Sequence, residues 1–247
     1  SLRVMLKTKN PAAKASWILL FLLFPTFGFL IYFLAGGSDI HPRHKLQLNK
    51  IDKYADHHFV HNDISKLEGY DKENAVYLQN SANTTVYAAD DVQYYANGET
   101  VFADIIQSLQ SAKKSIYVEF FIINRGSLFA EIIDILIKKA EVGVDVRIIY
   151  DGFGSKDLMS IRLRKKLKAA QIQIVAFQPI IPLFSFFLNY RDHRKLVIID
   201  EKVAYLGGFN LADEYVNIVE RFGYWKDSGV RIKGDSVTYF THNFLKM

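Results

Sequence analysis

His193 and Lys195 are the residues of this sequence best suited to chemistry, and they stand in the stretch NYRDHRKLVIIDEKVAYLGGFN at 189–210. Side chains two residues apart on a β-strand point to the same face, so the imidazole and the ammonium can reach one ligand. A basic pair of this kind suits an anionic, tetrahedral group such as a phosphodiester. The imidazole is then available as a nucleophile or as a proton carrier.

Three further residues of the stretch favour a phosphate-binding site. The Asn210 amide, together with Lys195, can hold the non-bridging oxygens of a phosphate and stabilise the charge that develops at phosphorus. Gly207 and Gly208 have no Cβ atom, so they permit a close approach of the backbone to that phosphate. We therefore expect these residues to line one site.

Two carboxylates accompany the basic pair. Asp200 has the opposite strand parity from His193 and stands at a predicted turn, which favours a structural role over direct catalysis. Asp227 is a candidate for holding a catalytic imidazole, because a carboxylate that accepts a hydrogen bond from one ring nitrogen fixes the tautomer. The run Trp225-Lys226-Asp227 could equally form a salt bridge at the start of a strand, so both roles of Asp227 stay open.

The elements predicted to position this motif alternate between strand and helix. In chain order they are a strand at 115–123, a helix at 128–141, a strand at 144–150, a basic helix at 157–170 and a strand at 172–177. The strands are almost continuously apolar, as strands covered on both faces must be. This order indicates an α/β sandwich with a mostly parallel central sheet. Short strands are also expected at 76–78 and 85–88.

Polar residues interrupt these strands at two places. Glu119 is a carboxylate inside the first strand, where it needs a partner, and a structural ion pair and a supporting role beside the active site are equally compatible with it. The second strand ends in Asp151-Gly152-Phe153-Gly154. Strand ends of this kind line the ligand crevice of parallel sheets, although the same residues form ordinary turns.

A long apolar segment precedes the α/β region. No charged residue occurs from Ala15 to Ser38, and the run is long enough for about 20 helical residues to match a hydrocarbon core of roughly 30 Å. We predict a transmembrane helix over 15–38, while the interruptions at Pro25 and Gly28 leave a buried soluble helix as the alternative. Basic residues on both sides are nearly balanced, so charge does not orient the span.

The remaining organisation follows from composition. We expect a basic flank at 1–14, a polar linker at 39–69 and a catalytic domain at 70–247. Histidines at 57, 58 and 61 beside Asp56 and Asp63 fit no standard zinc spacing, and the chain has no cysteine, so we expect no metal site. The apolar stretch Ile180–Leu188 is either part of the core or a loop that contacts acyl chains or the bilayer surface. The net charge of +5 favours phosphate-bearing partners.

The spacing His193-x-Lys195, four residues, Asp200, six residues, Gly207-Gly208-x-Asn210 resembles the HKD signature of the phospholipase D superfamily. Further stretches resemble bacterial cardiolipin synthases over nearly the whole chain, as the N-terminal half of such an enzyme. These stretches are Asn-Pro-Ala-Ala-Lys at 10–14 before Trp17, YVEFFI at 117–122, VRIIYDGFGS at 146–155 and FGYWKD at 222–227.

The resemblance implies a phosphatidyl transfer in the membrane, in which two phosphatidylglycerol molecules give cardiolipin and glycerol without a metal or nucleotide cofactor. It implies that His193 is the nucleophile or its partner acid, and that an acidic residue at the position of Asp227 pairs with a catalytic histidine, often that of the other half. It also implies a location in the bacterial cell membrane, with the catalytic domain in the cytoplasm.

The chain carries one copy of a motif that the family uses twice. Because the sequence begins with Ser1 and stops abruptly, we expect the second half to belong to the same longer chain; pairing of two copies about a two-fold axis is the alternative. Other functions remain open: a one-motif homodimeric phosphodiesterase or nuclease, a hydrolase of the phospholipase D type, and an inactive, membrane-anchored lipid-binding half-domain. The apolar segments favour lipid over nucleic acid as the partner.

Overall fold

The structure, a computed structural model, describes residues 11–35, 63–82, 86–179 and 191–247. The described residues divide into a first unit of 11–35 and a second unit of 63–82, 86–179 and 191–247. Residues 1–10 of the predicted flank, residues 39–62 of the predicted linker with most of its histidine cluster, and the stretch Ile180–Leu188 lie outside the described residues.

The described residues of the first unit form two helices, α1 (Pro11–Leu23) and α2 (Pro25–Ala35), so the prediction of one continuous helix over 15–38 is wrong. Pro25 has no backbone N–H and its ring obstructs the preceding turn, which ends α1. The chain then folds back, and the rings of Trp17 and Tyr32 meet edge-on with centroids 5.1 Å apart. A Cβ atom on Gly28 would lie 2.8 Å from the Leu20 carbonyl oxygen, so glycine permits the close approach of the two helices.

Neither helix matches the thickness of a bilayer core. At about 1.5 Å per residue, helices of 13 and 11 residues extend about 20 and 17 Å, against roughly 30 Å of hydrocarbon. Within the described part of the chain, no helix has both the length and the apolar character needed to cross a membrane.

The second unit alternates helices and strands before it ends in hairpins. In chain order its elements are α3 (Gly69–Ala82), β1 (Asp91–Tyr95), α4 (Gly98–Ser111), β2 (Ser115–Phe120), α5 (Ser127–Glu141), β3 (Asp145–Asp151), α6 (Ile161–Ala169), β4 (Gln173–Phe177), β5 (Lys195–Ile199), β6 (Val203–Gly207), a 3-10 helix (Asp213–Val216), β7 (Gly229–Lys233) and α7 (Val237–Leu245). The strand predicted at 76–78 is wrong, because these residues belong to α3. The strand predicted at 85–88 is also wrong where it can be compared, since 86–88 form no strand and residue 85 is not described.

The described strands form one sheet in the order β1-β7-β6-β5-β2-β3-β4. The pairs β2–β3 and β3–β4 are parallel, as the alternation of strand and helix predicts. The other four pairs are antiparallel, so the sheet is mixed and the prediction of a mostly parallel sheet is wrong. The reversal occurs because β5 returns beside β2 in the opposite direction and then continues into the hairpin with β6.

Helices cover both faces of the sheet. Val118 and Phe120 of β2 pack in the larger core with the buried faces of α4 and α5. Tyr117, which points the other way because strand side chains alternate, stacks on Phe244 of α7 with ring centroids 5.0 Å apart. The sandwich therefore buries its central strands on both sides, and polar side chains inside them must find partners within the protein.

The directions of the strands bring the motif residues to one edge of the sheet. Strands β2, β3 and β6 end at this edge, while β5 and β7 begin there, as the pairs of Phe120 with Lys195 and Gly207 with Gly229 show. We call this the site edge. Asp200 follows the last residue of β5 and therefore lies at the opposite edge.

Candidate active site

His193 and Lys195 meet over one aromatic ring at the site edge. The imidazole of His193 lies 4.8 Å from the ring centroid of Phe121, and the Lys195 ammonium lies 5.4 Å from the same centroid. The Lys195 Nζ also donates a hydrogen bond of 2.7 Å to the backbone oxygen of His193. His193 precedes β5 instead of lying within it, yet the structure brings the two basic side chains together.

The two basic side chains differ in exposure. His193 is exposed, whereas Lys195 retains 6% of its accessible surface. Burial lowers the pKa of Lys195, and the negative charges of Asp192 and Asp227 partly offset that effect. An ammonium with little access to water interacts more strongly with an anion, so Lys195 is well placed to attract a phosphate.

Phe121 is a site residue that the sequence did not single out. It follows the last residue of β2, and its carbonyl oxygen accepts a hydrogen bond of 3.0 Å from the Ser155 hydroxyl. That hydroxyl oxygen accepts a second hydrogen bond, of 2.8 Å, from the Ile123 N–H. A Cβ on Gly154 would lie 2.3 Å from the Phe121 carbonyl oxygen, so that position requires glycine. The predicted crevice segment after β3 therefore holds the aromatic floor beneath the basic pair.

Asp151 fixes the chain immediately before His193. Its fully buried carboxylate accepts backbone hydrogen bonds from Phe153 at 2.8 Å and Gly154 at 3.0 Å. The other oxygen, Oδ2, accepts a hydrogen bond of 3.0 Å from the Asp192 N–H, and Arg191 Nη1 lies 3.6 Å from the first oxygen, Oδ1. One carboxylate thus ties the end of β3 to the residue that precedes the candidate nucleophile.

Asn210 lies at the site edge but is largely occupied by the protein itself. Its Oδ1 accepts a hydrogen bond of 3.0 Å from the Ile122 N–H, and its Nδ2 donates 2.6 Å to the Tyr215 hydroxyl. The side chain is 3% exposed. An amide nitrogen carries two hydrogens, so one remains for a phosphate oxygen, and the expected phosphate contact stays a prediction.

Positions 207 and 208 require glycine for a structural reason that the sequence did not suggest. A Cβ on Gly208 would lie 2.1 Å from a carboxylate oxygen of Asp227, and one on Gly207 would lie 2.4 Å from the Ser228 carbonyl oxygen. The absent side chains therefore make room for the start of β7. A phosphate contact of either glycine stays a prediction.

Asp227 lies against Gly208, and its Oδ1 accepts a hydrogen bond of 2.9 Å from the Ser228 N–H. Burial lowers the pKa of Lys195, and the negative charge of Asp227 acts against that effect. The contacts of the described residues place Asp227 beside the phosphate-binding candidates and include no hydrogen bond to the His193 ring. Its pairing with a histidine stays a prediction.

Asp200 lies away from the site. Its carboxylate accepts backbone hydrogen bonds from Lys113, Lys114 and Ser115 at 2.6 to 3.1 Å, which joins the turn after β5 to the start of β2. Burial would raise the pKa of Asp200, but these hydrogen bonds lower it below the ordinary value of 3.8. Asp200 lies five residues along the chain from Lys195, which is about 16 Å at the rise of an extended strand, and His193 is two residues further away.

Glu119 is fully buried in β2, and its Oε1 lies 2.5 Å from Nη2 of Arg194, the residue between the two basic side chains. It points away from Lys195, because it alternates with Val118 and Phe120 along the strand. Across the described part of the chain, no group of three or more acidic or histidine side chains is placed to hold a metal ion.

Comparison with known proteins links this site to a family. Residues 105–240 match the family described as cardiolipin synthase, PLD-like domain, and residues 1–37 match the one described as phospholipase D-nuclease N-terminal. The chain is 39% identical over 238 residues to an uncharacterized protein of Streptococcus mutans, which covers 94% of this chain and 51% of that protein. It is 33% identical over 253 residues to the cardiolipin synthase of Oceanobacillus iheyensis, covering 98% and 52%.

The chain thus spans about half the length of these relatives. The crystal structure of a phosphatidylserine synthase from Haemophilus influenzae superposes with a TM-score of 0.51 at 16% identity, over 64% of this chain and 36% of that one, which supports the fold alone. The family match includes the whole site edge from Glu119 to Asp227. The chain belongs to the cardiolipin synthase family of phospholipase D-like proteins.

Proposed function

We propose that this chain supplies one half of the active site of a cardiolipin synthase, which transfers a phosphatidyl group from one phosphatidylglycerol molecule to another. The observation that carries the proposal is the pairing of His193 and Lys195 over Phe121, at the site edge of a chain in this family. A nucleophilic imidazole beside a desolvated ammonium is suited to displacement at a phosphodiester.

In the first step, a neutral ring nitrogen of His193 attacks phosphorus, so a P–N bond forms as the P–O bond to glycerol breaks. The leaving glycerol oxygen takes a proton from an acid opposite the nucleophile. In the second step, that group accepts the proton of the hydroxyl of a second phosphatidylglycerol, whose oxygen attacks phosphorus and breaks the P–N bond. The products are cardiolipin and glycerol, and His193 is regenerated.

The other side chains have supporting roles in this scheme. Lys195 and the second hydrogen of the Asn210 amide hold the non-bridging oxygens and stabilise the charge that increases on them. Asp227, which lies beside Gly208, orients an imidazole, either that of His193 or that of the second motif. Phe121 provides an apolar surface beside His193 and Lys195.

The second motif comes from outside this sequence, because the chain has one HKD copy and spans about half the length of its relatives. The remainder of a longer chain is the proposed source, and a second copy of this half is the alternative. We propose the phospholipid and the second half as the partners, in a reaction that uses neither nucleic acid nor a metal or nucleotide cofactor.

The paired helices α1 and α2 support association with a membrane. Leu22, Leu23, Phe27 and Phe29 are all more than 60% exposed in this helix pair. Apolar side chains at such positions gain free energy by entering acyl chains, at about 25 cal/mol per Å² of buried area. We propose that the pair inserts in the bacterial cell membrane and that the catalytic unit lies on the cytoplasmic side.

The test uses vesicles of radiolabelled phosphatidylglycerol and the chain purified with its apolar segment, alone and mixed with the half of the Oceanobacillus iheyensis enzyme that it does not match. We expect cardiolipin and free glycerol in equal amounts from the mixture, and neither from the mixture that contains the His193→Ala variant. Release of phosphatidic acid would select hydrolysis. Cleavage of DNA without turnover of lipid would select the nuclease alternative and refute the proposal.

A further inference from the structure

Three ionisable side chains, two of them buried, form a cluster beneath His193, on the side of the sheet opposite Lys195. Glu119 comes from β2, and Asp192 and Arg194 flank the histidine. Arg194 Nη2 lies 2.5 Å from Glu119 Oε1, and its Nε donates to Asp192 Oδ1 at 3.1 Å. One guanidinium is therefore shared by two carboxyl groups.

The charges of this cluster do not balance if both carboxyl groups are ionised. The side chains of Glu119 and Asp192 are 0% and 2% exposed, whereas that of Arg194 is 40% exposed and partly solvated. In addition, Glu119 Oε2 and Asp192 Oδ2 are buried and accept no hydrogen bond from the described residues. Two buried negative charges against one partly solvated positive charge would be costly.

We propose that Glu119 and Asp192 share one proton at neutral pH, with the Glu119 carboxyl group donating to the Asp192 carboxylate. A single proton removes the excess charge and gives the buried oxygens a hydrogen bond, so the cluster becomes neutral overall. Two carboxyl groups that share a low-dielectric site retain a proton in this way.

The direction of the pKa shift of Glu119 agrees with this arrangement. Burial raises the pKa of Glu119 to about 9, and the hydrogen bond and negative charge of Asp192 act in the same direction, against the opposing effect of Arg194. Glu119 therefore holds its proton through the neutral range and releases it only in alkaline solution.

The cluster positions the candidate nucleophile. The backbone N–H of Asp192 donates a hydrogen bond to Asp151, and the Asp192 carboxylate accepts hydrogen bonds from the backbone N–H and the Nε of Arg194. His193 lies between these two fixed residues. Glu119 is thus a positioning residue for His193, and this part of the inference depends on the proposed function, whereas the shared proton does not.

Other charged and titratable groups belong to the elements around the cluster. The loop and strand ends carry Asp151, Arg191 and Lys195, and the helix α7, which packs over this face, carries His242 with Lys246 at its end. A comparison of wild type with Glu119→Gln at each pH removes their contribution, because both proteins contain them. Glutamine is neutral, has nearly the same shape and can donate to Asp192.

The first measurement is the urea midpoint of the full chain at about pH 6 and about pH 9.5. Between the ordinary pKa of 4.5 and the raised value of about 9, folded Glu119 binds a proton that the unfolded chain has released, so wild-type stability falls as pH rises through this range. We expect a larger fall of the midpoint in wild type than in Glu119→Gln. Glu131→Gln, an exposed change on α5, serves as the matched control and should behave as wild type.

Infrared spectroscopy of wild type tests the proton directly and does not depend on any variant. At neutral pH we expect the C=O stretch of a protonated carboxyl group, shifted by ¹³C-labelled glutamate and lost above about pH 9. Absence of that band at neutral pH, or equal loss of midpoint in wild type and Glu119→Gln, would overturn the proposal. Neither measurement uses lipid, so failure of the proposed function would leave both results interpretable.

Discussion

The motif residues at the two ends of strand β5 have opposite roles. At the site edge, Lys195 is buried with a hydrogen bond to a backbone oxygen, and His193 is exposed over Phe121. At the other edge, Asp200 is saturated by three backbone N–H groups. The first end keeps charge available for a ligand, while the second uses its charge to join β5 to β2. The motif therefore combines chemistry with the support that holds it in place.

The largest expected effect is at the exposed end. His193→Ala should lower phosphatidyl transfer by at least about 10³-fold, because no other histidine lies at the site edge among the residues that the structure describes. Stability should change by less than about 0.5 kcal/mol, since the side chain is exposed. Transfer assays and urea unfolding measure the two effects. His57→Ala is the control, and a His193 variant that keeps wild-type turnover would remove this residue from the mechanism.

Lys195→Met should separate function from stability at the buried position. We expect transfer to fall by about 10²- to 10³-fold, because the charge that stabilises the phosphate is lost. Stability should stay the same or rise, since methionine replaces a buried cation with an apolar chain of similar length. Lys202→Met, an exposed change in the following turn, is the matched control. A Lys195 variant that unfolds readily would show that its ammonium is structural.

Asp200→Asn should lower stability and leave activity nearly unchanged, the opposite of Lys195→Met, and should have the smallest effect on catalysis. Loss of the charged acceptor should cost about 1–3 kcal/mol of unfolding free energy, with turnover of the folded fraction within a few-fold of wild type. Because the folded pKa of Asp200 is lowered, its stabilisation is present above the ordinary value of 3.8 and is lost as pH falls below it. The urea midpoint of the variant should therefore lie below that of wild type near pH 7 and approach it near pH 3. A large loss of turnover in a stable variant would contradict the division between the two ends.

Local patterns predicted the α/β half of the fold well. Strands β2, β3 and β4 and helix α5 lie within a few residues of their predicted bounds, because apolar runs and helical periodicity are local signals. The helix expected from 157 begins at Ile161, where the Ser160 side chain caps it. Family spacing located His193 and Lys195, since the residue types themselves define that motif.

Features that depend on distant pairing were not predictable. The antiparallel half of the sheet arises from the direction in which β5 returns beside β2, which no local pattern encodes. The packing of α1 against α2 involves contacts between distant residues, such as that of Trp17 with Tyr32. The length of the apolar run alone therefore predicted one helix where the structure has two. Phe121 lies within an apolar run that gives no sign of a site residue. The partner of Glu119, Arg194, is distant in sequence and could not be identified before β5 was placed beside β2.

The most direct test of the account is to locate the covalent intermediate. The wild-type chain would be mixed with the half of the Oceanobacillus iheyensis enzyme that it does not match and incubated with phosphatidylglycerol vesicles. The reaction would be quenched in denaturant without acid, and the protein digested and analysed by mass spectrometry. The account predicts a phosphatidyl group on the peptide that contains His193, lost in His193→Ala and retained in Asp200→Asn. Turnover of lipid without an adduct on His193, or with the adduct on another residue of this chain, would contradict the account.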